Sequence, residues 1–510
     1  MHLTKLLEDN LKTHGEYPFL YFQDKSYTNK EVEWLSKKFS TYLQQAGLSE
    51  ENIMVCLPNT PEVVFSYQGI IHSGNIVVPV MYLLTASEIR YILADSKTKV
   101  VITSSVFMEK IQEAVAALPI KPKIFLTDDE VKQEDYAGLE ITYFYDAIDQ
   151  ANLATLDNVP ANEDDVAVIL YTSGTTGRPK GVMLSHKNLY ASARTSALLS
   201  ETDTKNSNVT VGVLPLAHIF GFTMMNALFF NGSAVVIFPK FDVGALFKAI
   251  ETYRVEQFSV VPAMIYAMVA DQTHGNYDLG SLENVSSGSA PLPIPIMKAF
   301  TKKINANVLE GYGLSEAAPV LTTHRIGEEI KPGSVGRAIP GVEVKVVDEA
   351  GIQVPVGEIG EVIARGDNIF LGYYQLEEET ERTIRNGWLY TGDMGKLDKD
   401  GYLYIVDRKK DIIIRGGFNI YPRDTEELLA GYEGVQEVAV VGVPDEKMGE
   451  IVVACVVKKE AAELTETELI DFTQQKLAKY KTPSHVVFME RLPRNGVGKI
   501  LKNRLRDLVE

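Results

Sequence analysis

Short apolar runs separated by amphipathic stretches constrain this chain most. Residues 53–57, 76–80 and 100–103 are rich in Val, Ile and Met and read as buried strands. Between them, 61–73 and 88–95 carry apolar residues at helical spacing. Upstream, Thr28 and Glu31 stand at the capping-box interval, and Val32, Leu35, Phe39 and Tyr42 follow on one helical face that stops near Gly47. Strands alternating with helices imply parallel βαβ units. The alternation pauses over 126–164, where Asp and Glu predict loops, then resumes at 166–171 and runs to about 330. From 333, Gly and Pro become frequent and β-branched residues alternate with polar ones, predicting a small antiparallel sheet or barrel. After Asp407 a last unit mixes Val-rich strands (438–443, 451–457) with amphipathic helices. At roughly 100–200 residues per domain, 510 residues need several cores. The expected fold class is α/β. A large N-terminal domain over 1–407 holds two βαβ-type subdomains (about 1–160 and 161–330) and a β-barrel-like one (331–407), followed by a small α+β domain over 408–510.

Charge narrows the partners. The chain has 50 basic and 68 acidic residues, a formal −18, which repels a phosphate backbone and disfavours nucleic acid and anionic membranes. The deficit is not shared evenly: 408–510 carries 17 basic and 17 acidic residues, so all of it lies in 1–407. Cys56 and Cys455 offer neither a disulfide framework nor metal-ligand spacing, and the N-terminal residues lack a signal-peptide run; a cytoplasmic protein is expected. From Asn206 to Pro239, 34 residues contain no Asp, Glu, Lys or Arg. Pro215, His218, Asn226, Asn231 and several glycines interrupt the stretch, so a buried strand, turn, helix and second strand is expected rather than a membrane span.

The strongest chemical signal follows the apolar run 166–170: Tyr171-Thr172-Ser173-Gly174-Thr175-Thr176-Gly177-Arg178-Pro179-Lys180-Gly181. Glycines let the backbone approach a ligand, hydroxyls and amides supply donors, and Lys180 adds one cation, which is how a loop cradles polyphosphate. Arg178-Pro179 separates Gly177 from Lys180, and neither this loop nor Gly496-Val497-Gly498-Lys499 has the G-K-[ST] ending, so a P-loop NTPase is not supported. Ser315 offers a hydroxyl, and Glu316 beside it a carboxylate of the kind Mg²⁺ takes when it also shares phosphates. Asp393, after a Gly turn, is a natural acceptor for ribose hydroxyls.

The loop resembles the signature of the adenylate-forming superfamily, which includes acyl- and aryl-CoA synthetases, peptide-synthetase adenylation domains and firefly luciferase. The family's other motifs appear in order over about 20–505. The resemblance implies ATP, Mg²⁺ and CoA as cofactor and co-substrates. It implies that 172–177 and Lys180 meet the phosphates, with Thr172 at the reacting centre. Leu214–Gly221 resembles the substrate-pocket motif, with His218 as a gate and Phe220 and Gly221 in the acyl pocket. Gly288, Ser289 and Ala290 line the adenine and acyl site. In Glu310-Gly311-Tyr312-Gly313-Leu314-Ser315-Glu316, Tyr312 lays its ring on the purine, Ser315 bonds a phosphate oxygen and Glu316 holds the metal; the family usually has Thr where Ser315 stands. Asp393 and Arg408 contact the ribose. Asp407 is the hinge of a mobile C-terminal domain, Gly416 and Gly417 let pantetheine pass, and Lys499 is the catalytic lysine.

The implied reaction is attack of a carboxylate on the α-phosphate of ATP, giving an acyl-adenylate and pyrophosphate, then transfer of the acyl group to the thiol of CoA with release of AMP. Ile219, Phe220, Phe222, Met224 and Met225 suggest an apolar acyl tunnel and a medium- or long-chain fatty acid. An aromatic acid, and a carrier-protein phosphopantetheine in place of CoA, stay open, as do weak peripheral membrane association and a homodimer. A non-catalytic nucleotide-binding relative would be expected to lack Lys499 or Glu316, and both are present.

Overall fold

A computed structural model of the chain describes residues 1–130, 136, 138–155, 162–172, 178–200, 208–494 and 500–509. The Thr28 capping box forms as its spacing predicts: Glu31 N donates to Thr28 Oγ1 at 3.1 Å and Thr28 N to Glu31 Oε2 at 2.7 Å. The helix it opens, Asn29–Gln45, buries Val32, Phe39 and Leu43 against Pro61–His72. Each such side chain taken from water contributes about 1.5–3 kcal/mol.

The sheets are not laid down in chain order. An eight-stranded sheet runs Gly372–Tyr373, Lys180–Ser185, Val166–Thr172, Ile76–Pro79, Asn52–Val55, Val100–Thr103, Lys123–Leu126, Ile141–Tyr143. The alternation resumes at Val166 as expected, but this strand and the next pair back onto the first unit, Val168 beside Val77. The N-terminal strand Pro18–Phe22 in turn joins Ala234–Ile237. A third sheet places Gln257–Val260, Asn284–Ser287 and Asn307–Gly313 in parallel, followed by two antiparallel strands. The segment read as loops, 126–164, supplies an edge strand and the helix Phe144–Gln150. Phe144, Ala147 and Ile148 are buried there, and Phe144 packs 4.6 Å from the Phe39 ring. Three apolar residues at i, i+3 and i+4 thus outweigh the surrounding acidity.

The uncharged stretch forms the expected strand Val209–Gly212, helix Ile219–Asn231 and strand Ala234–Ile237. Among the described residues no helix is long and apolar enough to cross a membrane. Downstream, Val342–Val347, Gly360–Gly366, Trp388–Leu397 and Ile384–Arg385 make an antiparallel sheet, with Leu403–Arg408 beside Trp388–Leu397. The small C-terminal domain is a mixed sheet around Val435–Asp445 and Gly449–Lys458, with Pro422–Ala430, Glu466–Gln474 and Lys502–Val509 as helices. Cys56 and Cys455 are buried, in separate cores.

Candidate active site

The carboxyl ends of the parallel strands open into a cavity of about 1760 Å³ between the large and small domains. Such crevices are where ligands bind in open α/β sheets. Thr172 ends its strand and lies opposite Lys180 in the antiparallel register, and both line the cavity. Ser173, Gly174, Thr175, Thr176 and Gly177 lie outside the described residues. Lys180 Nζ sits 2.5 Å from Glu379 Oε2 and 5.2 Å above the Tyr373 ring. The hydroxyl of Tyr373 donates to Glu316 Oε1 at 2.7 Å, so the expected phosphate cation and metal carboxylate are linked through one tyrosine.

Across the cavity, Asn307–Gly313 carries Glu310, Gly311, Tyr312 and Gly313 to its rim. A side chain at Gly313 would bring a Cβ to 1.7 Å from the Pro319 carbonyl oxygen, so only glycine fits. Tyr312 donates its hydroxyl to Asp393 Oδ2 at 2.6 Å, and Arg408 Nε lies 3.4 Å from Asp393 Oδ1. Burial, then the Asp393 carboxylate, hold the Tyr312 hydroxyl far above its usual titration range. Ser315 and Glu316 follow on one helical turn. Glu310 is 3 % exposed; its Oε2 is buried without a partner. Burial pushes its carboxyl up to about 7, against the pull of Arg423 and the Leu292 amide.

His218 caps the helix Ile219–Asn231, its Nδ1 accepting from Phe220 N at 3.3 Å. A Cβ at Gly221 would lie 2.2 Å from the Pro215 carbonyl oxygen, and one at Gly288 only 3.3 Å from the Phe220 ring. Gly288, Ser289 and Ala290 line the cavity where the Phe220 ring meets the glycine-rich rim. Ser289 adopts φ +72°. Ile219, Phe220, Met224 and Met225 face the cavity as expected; Phe222 does not, and packs instead against the Tyr67 ring at 5.2 Å. A tunnel reading applied to every apolar residue of the segment ignores that successive residues of a helix point in different directions, which turns Phe222 into the core.

At the domain junction, Asp407 accepts from the amides of Arg408 (2.8 Å) and Arg423 (3.1 Å). Burial pushes its carboxyl up to about 6, opposed by Lys502. Lys502 pairs with Glu426 at 2.8 Å. Lys499, together with Gly496 and Gly498, lies outside the described residues; its flanks Arg494 and Ile500 pair as an antiparallel bridge, and both line the cavity. Gly416 and Gly417, at φ +57° and +82°, form an exposed turn that is not among the cavity's lining residues. The structure therefore brings Thr172, Lys180, His218, Phe220, Gly221, 288–290, 310–316, Asp393, Asp407 and Arg408 to one cavity and leaves Gly416 and Gly417 outside it.

Tyr373, Glu379, Arg423 and Lys502 have no counterpart in the sequence reading. Tyr373 and Glu379 reach Lys180 only because Gly372–Tyr373 pairs with Lys180–Ser185 across nearly two hundred residues of chain, a contact no local pattern encodes. Arg423 and Lys502 sit on helices whose exposed-looking charge gives no sign that they face the junction.

Mg²⁺ is the metal that the chemistry of this site implies. The described residues contain no cluster of three or more metal-ligating side chains. Glu316 still fits Mg²⁺, which takes one or two protein carboxylates and shares substrate phosphates.

Fold, site and relatives together define an acid–thiol ligase that activates its acid as an adenylate. The chain belongs to the AMP-binding enzyme family: residues 7–374 match the family's main domain and 424–499 its C-terminal domain. It is 36% identical over 525 residues to a long-chain-fatty-acid–CoA ligase of Bacillus subtilis (strain 168), covering 99% of this chain and 94% of that protein. It is 35% identical over 496 residues to 4-coumarate:CoA ligase 1 of Petunia hybrida, covering 94% and 88%. ATP-bound MatB from Rhodopseudomonas palustris superposes with a TM-score of 0.89 at 30% identity, over 100% of this chain and 99% of that one. The apo form of the same protein superposes at 0.77, at 29% identity and the same coverage.

Proposed function

We propose that this enzyme activates a medium- or long-chain fatty acid and transfers it to CoA. One observation carries the choice of acid. Of the described residues lining the cavity between positions 196 and 266, none is Asp, Glu, Lys or Arg. This wall includes Leu214, Met224, Leu228 and Phe230 and runs on past His218 and Phe220. An amino acid would leave its ammonium, and a dicarboxylate its second carboxylate, without a counter-charge there, at a cost of several kcal/mol. An alkyl chain gains roughly 0.8 kcal/mol per buried methylene in such surroundings. The likeness to the Bacillus subtilis ligase supports this reading. An aromatic acid is the second reading, supported by the likeness to the Petunia hybrida ligase.

The positions of the described residues and the family resemblance support the following roles. Tyr312 offers its ring to the purine, and Asp393, oriented by Tyr312 and Arg408, accepts from the ribose. Thr172 and Lys180 meet the phosphates, with 173–177 completing the cradle. Glu316 is the carboxylate for Mg²⁺, which when bound neutralises phosphate charge as the α-phosphorus is attacked. Lys499 stabilises the same charge from the small domain. No protein nucleophile is needed, because the carboxylate itself attacks. Arg494 and Ile500 line the cavity while Gly416 and Gly417 do not. The chain also superposes better on an ATP-bound relative than on its apo form. Both support an orientation suited to the adenylation half-reaction. Rotation about Asp407 then exchanges the Lys499 segment for the 416–417 turn, which admits the thiol. The test is a panel of fatty, aromatic and dicarboxylic acids scored for pyrophosphate release with ATP, Mg²⁺ and CoA. Fatty acids of eight carbons and longer are expected to lead; preference for an aromatic acid moves the assignment to the second reading.

A further inference from the structure

The glycine-rich loop carries two cations, Arg178 and Lys180, and the Lys180 side chain is 15% exposed. Lys180 lines the cavity, whereas its partner Glu379 is not among the lining residues. The carboxylate is also held from behind: Glu379 Oε1 accepts from Arg382 Nη1 at 3.1 Å while Oε2 faces Lys180 Nζ at 2.5 Å. Contact with Lys180 keeps the Glu379 carboxyl below its usual range, so it is an anion at neutral pH.

The placement is built by the fold. Gly372 lies opposite Met183 and Tyr373 opposite Val182, and Tyr374 N donates to the Gly181 carbonyl at 2.7 Å. This seats the helix Glu377–Thr383 beside the loop's return strand. Thr380 Oγ1 accepts from Tyr373 N at 2.9 Å, and Gly372, at φ +143°, leaves no room for a Cβ, which would meet Thr380 Cγ2 at 2.6 Å. The helix that carries Glu379 is therefore pinned to the strand that carries Lys180. Most surface ion pairs contribute little because both side chains must be ordered for the purpose. Here the lysine is mostly buried and the backbone on both sides is fixed.

A fixed carboxylate against the ammonium offsets its charge and takes one of its three donors, so polyphosphate has to compete with that partner for the lysine. We propose that Glu379 is the resident counter-ion of Lys180: it stands in for the β- and γ-phosphates in the nucleotide-free site, competes with them for the lysine, and takes the lysine back when pyrophosphate leaves. Glu379 is a positioning residue, since it acts through Lys180 and touches no reacting atom. The consequence is selective. Pyrophosphate and ATP are weakened, while AMP and the acyl-adenylate, which lack those phosphates, keep their affinity. An enzyme that must eject pyrophosphate yet retain its adenylate for the thiol needs this asymmetry. The inference rests on the reading of Lys180 as a polyphosphate ligand.

The experiment measures equilibrium dissociation constants of ATP, pyrophosphate and AMP on the full chain and on Glu379→Gln, by calorimetry with Mg²⁺ present. ATP and pyrophosphate are expected to tighten about tenfold, the factor that corresponds to one charged hydrogen bond no longer opposing them, and AMP to stay within about twofold. In turnover, KM for ATP and the inhibition constant for pyrophosphate fall together, and Glu379→Asp, which restores the charge, returns both toward the parent. In a Lys180→Ala background the Glu379→Gln change should have no effect on any of the three, an outcome a purely structural role does not produce. Weaker or unchanged binding of ATP and pyrophosphate in Glu379→Gln overturns the proposal, because the glutamate then holds the lysine for nucleotide or does nothing to it. Glu379→Ala repeats the test should the glutamine variant fold poorly. If Lys180→Ala alone leaves ATP and pyrophosphate affinity unchanged, it is the reading of Lys180 that fails.

Discussion

At one end of the cavity, Tyr312, Asp393 and Arg408 hold one another through a 2.6 Å hydrogen bond and a 3.4 Å ion pair, and Asp393 is 6% exposed. At the other end, no described lining residue between positions 196 and 266 is charged. The proposed adenosine end is a set of dipoles and charges that hold one another in place. The proposed acyl end offers shape and an uncharged surface in which apolar side chains such as Leu214, Met224 and Phe230 are prominent. The first arrangement discriminates steeply, because a buried polar group left unpaired is costly; the second discriminates by about a kcal/mol or so per methylene. The enzyme is therefore expected to be strict about its nucleotide and graded about its acid.

That contrast can be broken first at the charge it depends on. Lys499→Ala should lower adenylate formation by about 10³-fold or more, the scale of losing a transition-state charge contact, and leave thiolysis of a supplied acyl-adenylate largely intact. Single-turnover assays of the two half-reactions check it, and equal loss in both would sink the assignment. Next is Glu310, whose carboxyl is ordinarily near 4.5 and is pushed up to about 7 by burial. Below pH 4.5 both folded and unfolded chains hold the proton; between there and 7 the unfolded chain releases it first, so stability is lost as pH rises through the folded value. Glu310→Gln should match the parent near pH 4.5 and be more stable at pH 8 by on the order of 3 kcal/mol. Asp407, pushed up to about 6, acts in the same direction and remains in the variant, so the profile flattens without becoming level. Denaturant unfolding at the two pH values reads it; a variant less stable at pH 8 would contradict the burial argument.

A smaller effect sharpens the adenosine end. Asp393→Asn removes the charge that faces Arg408 and an acceptor for the ribose, and should raise KM for ATP roughly 30-fold with KM for the acid unchanged. Smallest is a change at the acyl end. Met224→Trp, on the cavity face of the Ile219–Asn231 helix, should cut kcat/KM for long-chain acids about tenfold and spare short ones. A uniform loss across chain lengths would place the acyl chain elsewhere.

Much of this was legible in the residues, for reasons that differ by region. The capping box at Thr28 and the strand ahead of Thr172 are local patterns, and local energies place them. The uncharged stretch 206–239 could be read as strand, helix and strand because polar breaks marked its turns. The helix Phe144–Gln150 was hidden by acidic neighbours, although its three buried apolar residues decide it. Sheet order was not legible at all: nothing near Val168 says that it pairs with Val77. The same blindness hid Tyr373 and Glu379, which reach Lys180 only through the pairing of Gly372–Tyr373 with Lys180–Ser185. Gly416 and Gly417 teach the converse. Their motif is visible in sequence, yet in this orientation they stand on the exposed side of the small domain.

The central claim is that the acid is activated as an adenylate. The most direct measurement mixes enzyme with ATP, Mg²⁺ and a long-chain fatty acid in the absence of CoA, quenches, and identifies the bound product by mass spectrometry. Acyl-AMP is expected in amounts approaching one per enzyme, with an equal release of pyrophosphate, and it should disappear as AMP and acyl-CoA form once CoA is added. ADP and inorganic phosphate as products, or acyl-CoA formed with no adenylate at any time point, would contradict it.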